Sequence, residues 1–96
     1  MAVVYRSHFQ IIADILNTAR DYNDGGSGVS ITLLIRKANI SYGRITKILA
    51  RLVDAGLMQE IPEDRTCKYK ISERGMAFLQ AYTKFHDFVE SFGLRA

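Results

Sequence analysis

Ser41, Tyr42, Gly43, Arg44, Thr46, Lys47 and Arg51 gather hydrogen-bond donors and cations on one stretch of the 96-residue chain. Arginine can fork onto the O6 and N7 acceptors of guanine, and lysine, serine and threonine match phosphate oxygens. No carboxylate is interspersed before Asp54. Arg44, Lys47 and Arg51 could simply solvate an exposed helix, but helices that do only that usually carry Glu or Asp among their cations. Gly43 weakens a helix by about 1 kcal/mol relative to alanine. A bare backbone close to a groove floor would explain it, and so would a loose first turn.

Other reactive residue types form no constellation. His8 and His86 fall on different expected helices, with no cysteine or carboxylate at metal-ligand spacing. The lone cysteine, Cys67, sits in an expected strand and reads as a small hydrophobe rather than a nucleophile. Gly25-Gly26-Ser27-Gly28 lacks the Gly-Lys-Ser/Thr ending of a phosphate loop. Neither catalysis nor a metal or cofactor is expected.

The elements that must position the donors follow from periodicity and caps. Ser7 caps a first helix to about Asp21, with Phe9, Ile12, Ile15 or Leu16, and Ala19 at helical spacing. The run from Asp21 to Gly28 is dense in turn formers and reads as a loop. A second helix spans about Ser30 to Ala38, its stripe made by Ile31, Leu34, Ile35 and Ala38. Asn39 occupies the turn position that favours a left-handed backbone, and Ile40 plugs the corner. Ser41 caps a third helix to Ala55, where Gly56 stops it. Ile45, Ile48, Leu49, Leu52 and Val53 share one face of that helix, leaving the polar set on the other.

Beyond Gly56 the period changes to alternation. Leu57 to Ile61 and Thr66 to Ile71 read as strands joined by Pro62-Glu63-Asp64-Arg65. Cys67, Tyr69 and Ile71 point one way, and Thr66, Lys68 and Lys70 the other. Arg65 at the tip, with Lys68 and Lys70, can reach phosphates, although Glu63 and Asp64 oppose an anion. Ser72 caps a last helix to about Phe92. The expected class is mainly α with a small β-hairpin, in the order helix-helix-helix-hairpin-helix. A unit of residues 1–71 carries the reading helix, and 72–96 form a C-terminal helix of the same structural unit.

The last helix is too apolar for a simple surface helix. Leu79, Tyr82, His86 and Val89 trace a 3-4-3 seam, and Phe78, Phe85 and Phe92 recur every seven residues beside it. A stripe wider than about 100° exceeds what one domain needs, and seven-residue spacing suits a helix pair. These residues are the expected homodimer interface, unless the phenylalanines all fold back on the first helix.

Three segments resemble a known family: Ala38-Asn39-Ile40-Ser41-Tyr42, Leu52-Val53-Asp54-Ala55-Gly56-Leu57, and Tyr69-Lys70-Ile71-Ser72-Glu73-Arg74-Gly75. The stretch from about 8 to 85 resembles the archaeal winged helix-turn-helix family of DNA-binding transcriptional regulators. The resemblance implies a recognition helix at Ser41 to Ala55, a wing near Glu63 to Lys68, and dimerisation through an antiparallel coiled coil of the helix after Ser72. This chain's last helix is shorter than the family's.

Composition is compatible with this picture. Thirteen basic against 10 acidic residues give a net charge of +3, and ten of the basic ones lie between Arg36 and Lys84. Such a balance permits a polyanionic partner without requiring one. No apolar run approaches the roughly 20 residues needed to cross a bilayer. The opening residues lack the features of a secretory leader, and one cysteine cannot form an internal disulfide, so a cytoplasmic, reducing location is expected. Sequence-reading or architectural binding of double-stranded DNA, as a dimeric transcriptional regulator, is the expected function. A winged helix used as a protein-interaction module in a larger assembly, and binding to structured RNA, are the competing readings.

Overall fold

The computed structural model describes residues 8–93; the expected Ser7 cap lies outside the described residues. The elements are α1 (His8–Asp21), β1 (Val29–Ser30), α2 (Ile31–Ala38), α3 (Tyr42–Asp54), β2 (Met58–Pro62), β3 (Cys67–Ile71) and α4 (Glu73–Ser91). Each helix boundary has a local cause. Ser30, Ser41 and Ser72 are N-caps in extended conformation, and their hydroxyls accept from the backbone N–H groups of Leu33, Arg44 and Gly75. Asn39 ends α2 in the left-handed region at φ 56°, donating its N–H to the Ile35 carbonyl at 2.8 Å. Gly56, at φ 80°, ends α3: its N–H reaches the Val53 carbonyl and that of Leu57 reaches Leu52.

The expected two-stranded hairpin is part of a three-stranded antiparallel sheet in the order β1-β3-β2. Val29 pairs with Tyr69 and Ser30 with Lys68. A two-residue strand has no alternation to read, and Ser30 gives a helix-cap signal at the same place. Gly28 makes this pairing possible, because at φ 91° a Cβ there would press on the Tyr69 carbonyl.

The core is one cluster to which every element except β3 contributes buried residues. Ile11, Ile12, Ile15, Leu16 and Ala19 of α1 meet Leu34 and Ala38 of α2, Ile45, Ile48, Leu49 and Leu52 of α3, and Val29 and Met58 of the sheet. Burial of each large aliphatic side chain contributes about 1.5–3 kcal/mol. Ile40 is 9% exposed in the corner between α2 and α3, as its position in the turn requires. Phe9 departs from expectation: it is 59% exposed, because it precedes Ile11, where the packed stripe begins.

A second departure concerns α4. Leu79, expected on a partner-facing seam, is 3% exposed and belongs to the chain's own core. Phe78 and Tyr82 pack partly against that core too. The first half of α4 therefore serves its own domain, and α4 leaves Phe85, Phe88 and Phe92 exposed further along, with His86 and Val89 half-buried. Phe88 and Phe92 meet edge-to-face at 4.9 Å.

Candidate nucleic-acid interface

The amphipathic pattern of α3 turns Ile45, Ile48, Leu49 and Leu52 inward, which forces its polar residues outward. Ser41, Tyr42, Gly43, Arg44, Lys47 and Arg51 are all exposed, and Thr46 is half-buried. Tyr42 opens the helix at 65% exposure. The Thr46 hydroxyl donates to the Gly43 carbonyl at 3.1 Å, so it is spent on its own helix unless it rotates. A Cβ on Gly43 would meet nothing within 4 Å among the described residues, so no described neighbour demands glycine there.

Arg44, Lys47 and Arg51 recur at i, i+3 and i+7 and so share one side of the helix. Among the described residues the ion pairs are Arg20–Asp21 and His86–Asp87, both away from this surface. The three cations thus stand without a carboxylate partner among the described residues. They line a hollow of about 180 Å³ with Ile48 and with His8 from the first turn of α1. His8 has no helical or strand pattern linking it to α3, so only the packing of α1 against the rest brings it there.

The other flank of α3 has the opposite character. Thr46, Leu49, Ala50, Val53 and Asp54 of α3 line a second hollow with Glu60 of β2 and Tyr69 of β3. The Tyr69 hydroxyl donates to Glu60 Oε2 at 3.2 Å. Burial, then the Glu60 carboxylate beside it, pushes the Tyr69 phenol up to about 12. Burial and the same carboxylate also raise the Cys67 thiol, which lowers its thiolate fraction and its reactivity.

The wing residues stand apart from the α3 cations. Glu63 and Thr66 close the turn between β2 and β3 through reciprocal backbone bonds, leaving Arg65 exposed at the tip. Lys68 pairs with Ile61 and Lys70 with Gln59. By strand alternation these lysines lie on the sheet face opposite Tyr69 and Glu60, and hence opposite the face that meets α3. Arg44, Lys47 and Arg51 are therefore brought together, while Arg65 and Lys68 are not brought into the same hollow.

The fold and its helix-turn-helix geometry agree with a sequence-family match. A winged helix-turn-helix family model matches residues 5–90. The chain belongs to the winged helix-turn-helix family. Among solved structures it is similar to Sso10a-2, a DNA-binding protein from Sulfolobus solfataricus, at 26% identity and a TM-score of 0.79. That likeness covers 91% of this chain and 85% of the other. No protein of curated function matches the chain. The winged helix-turn-helix resemblance drawn from the three sequence segments thus holds for family and fold, and the solved neighbour is archaeal. Within this family member, no described helix is long and apolar enough to cross a membrane. No group of three or more His, Cys, Asp or Glu is placed to hold a metal among the described residues.

Proposed function

We propose that this winged helix-turn-helix protein binds double-stranded DNA, with α3 in the major groove, and acts as a dimeric transcriptional regulator. The observation that carries the reading is the exposed face of α3, with its cations and hydroxyls and no interspersed carboxylate. A helix of this kind fits the major groove, with arginine available for guanine and lysine for phosphate. The unhindered Gly43 supports a close approach of the helix backbone to the groove floor. The solved neighbour's description as a DNA-binding protein points the same way. A protein-interaction helix would more often expose aliphatic anchors, and the aliphatic residues of α3 are mostly buried.

Dimerisation through α4 rests on Phe85, Phe88 and Phe92, which are 65%, 62% and 65% exposed. Together with His86 and Val89 they give a second copy an apolar surface beyond the part of α4 that its own core occupies. Twofold pairing would set two α3 helices toward successive major-groove turns, about 34 Å apart.

The test is a titration of labelled duplex at several salt concentrations, with structured RNA as competitor. Binding that weakens steeply with salt and resists RNA supports the reading. Preference for the RNA, or no duplex binding at low salt, overturns it.

A further inference from the structure

We infer that the hollow between the first turn of α1 and the basic side of α3 seats a backbone phosphate of the bound duplex, with His8 as one of its donors. The inference rests on the proposed DNA binding and adds to it a contact made by α1. His8, Arg44, Lys47 and Arg51 converge from two elements on a space of about 180 Å³, large enough for a phosphate group. The side chains of His8, Arg44, Lys47 and Arg51 are exposed, and no described carboxylate pairs with any of the four. Three like charges on one helix side repel one another in the free protein. An anion at their centre reverses the sign of that interaction, and imidazole N–H adds a directed donor from the opposite wall.

The other flank of α3 cannot take this role. Its hollow holds the carboxylates of Asp54 and Glu60 and the hydroxyl of Tyr69, which is already committed to Glu60. A phosphate there meets two negative charges. The polarity of α3 across its own axis therefore directs the duplex backbone toward α1, on the side away from the sheet. Lys68 and Lys70 lie on the far face of that sheet and do not compete for the same phosphate. The start of α1 would thus act as a second support for the backbone beside the helix that enters the groove.

Duplex titration against salt with wild type, His8→Glu and His8→Ala tests this. His8→Glu should weaken binding roughly tenfold on every duplex sequence and flatten the log–log salt slope by about one. His8→Ala should weaken binding less and without change in base preference. A carboxylate in the first turn of a helix is favourable, so His8→Glu should melt at or above the wild-type temperature, which separates lost binding from lost folding. If wild type binds duplex and His8→Glu binds equally well with an unchanged slope, the phosphate seat is refuted while DNA binding stands. If wild type binds no duplex, the DNA reading fails and takes the seat with it.

Discussion

The Ser72 hydroxyl donates to the Gly56 carbonyl at 2.7 Å while accepting from the Gly75 N–H at 3.0 Å. One side chain therefore caps α4 and fastens it to the residue that ends α3. The Ser72 N–H adds a bond to the Leu57 carbonyl at 3.1 Å. Gly75 lets these chains approach, because a Cβ there would collide with the Leu57 carbonyl and with Ile71. The direction of α4 is thus set relative to α3 by short-range contacts. In a dimer paired through α4, the same contacts would fix where each α3 points.

Ser72→Ala removes the cap and the bond to Gly56 together. A lost cap costs about 0.5–2 kcal/mol, and an orphaned part-buried acceptor adds to it. Chemical denaturation should show a loss of about 1–3 kcal/mol. Gly75→Ala should cost at least as much, since overpacking against backbone costs about 1–3 kcal/mol or more. A neutral Gly75→Ala would mean that α4 can slide away from Leu57.

Local signals made much of this fold readable in the sequence. Ser30, Ser41 and Ser72 cap helices, and Asn39 and Gly56 stop them, because each effect acts within a few residues of chain. Signals that depend on distant packing were not readable. Heptad-like spacing on α4 looks the same whether Leu79 meets its own core or a partner, and only the tertiary packing decides it. His8 carried no pattern connecting it to Arg44. The facing of Lys68 was visible in the alternation, but not which sheet face α3 would cover.

Tyr69 ties stability to alkaline pH. Its phenol ordinarily titrates near 10 and is pushed up to about 12 in the folded chain, by burial first and by Glu60 second. Between these values the unfolded chain loses the proton while the folded chain keeps it. The stabilisation is therefore complete below about pH 10 and is lost as pH rises toward 12. Tyr82 is raised as well, by burial and then by Asp14, and acts in the same direction. Thermal melts should fall across this window, and Tyr69→Phe should make the fall shallower. Tyrosinate absorbance should show Glu60→Gln lowering the Tyr69 transition.

The separation of wing and recognition helix predicts unequal roles for two lysines. Lys47 stands on the cationic side of α3, whereas Lys68 lies on the sheet face turned away from it. Lys47→Ala should weaken all duplex sequences alike and flatten the salt slope by about one. Lys68→Ala should leave the slope near that of wild type. Arg44→Ala should cost about 1–3 kcal/mol, and a relaxed base preference with it would place its guanidinium on guanine and leave the phosphate to His8, Lys47 and Arg51. Equal losses across sequences for Arg44→Ala and Lys47→Ala would place both cations on the DNA backbone and leave sequence reading to other residues.

The exposed phenylalanines of α4 give the last prediction, and the division within that helix sharpens it. Leu79 is buried in its own domain, so Leu79→Ala should destabilise the fold by about 2–5 kcal/mol without being diagnostic of assembly. Phe85 is 65% exposed, and a charge there costs the isolated domain little. In a dimer it would place two carboxylates in an apolar interface, where unpaired charge is strongly unfavourable. Phe85→Asp should therefore halve the sedimenting mass while secondary structure persists. Duplex affinity should fall with it, because each released monomer holds only one α3. An unchanged mass would remove α4 as the interface, and an unchanged affinity with a halved mass would show that one α3 suffices for binding.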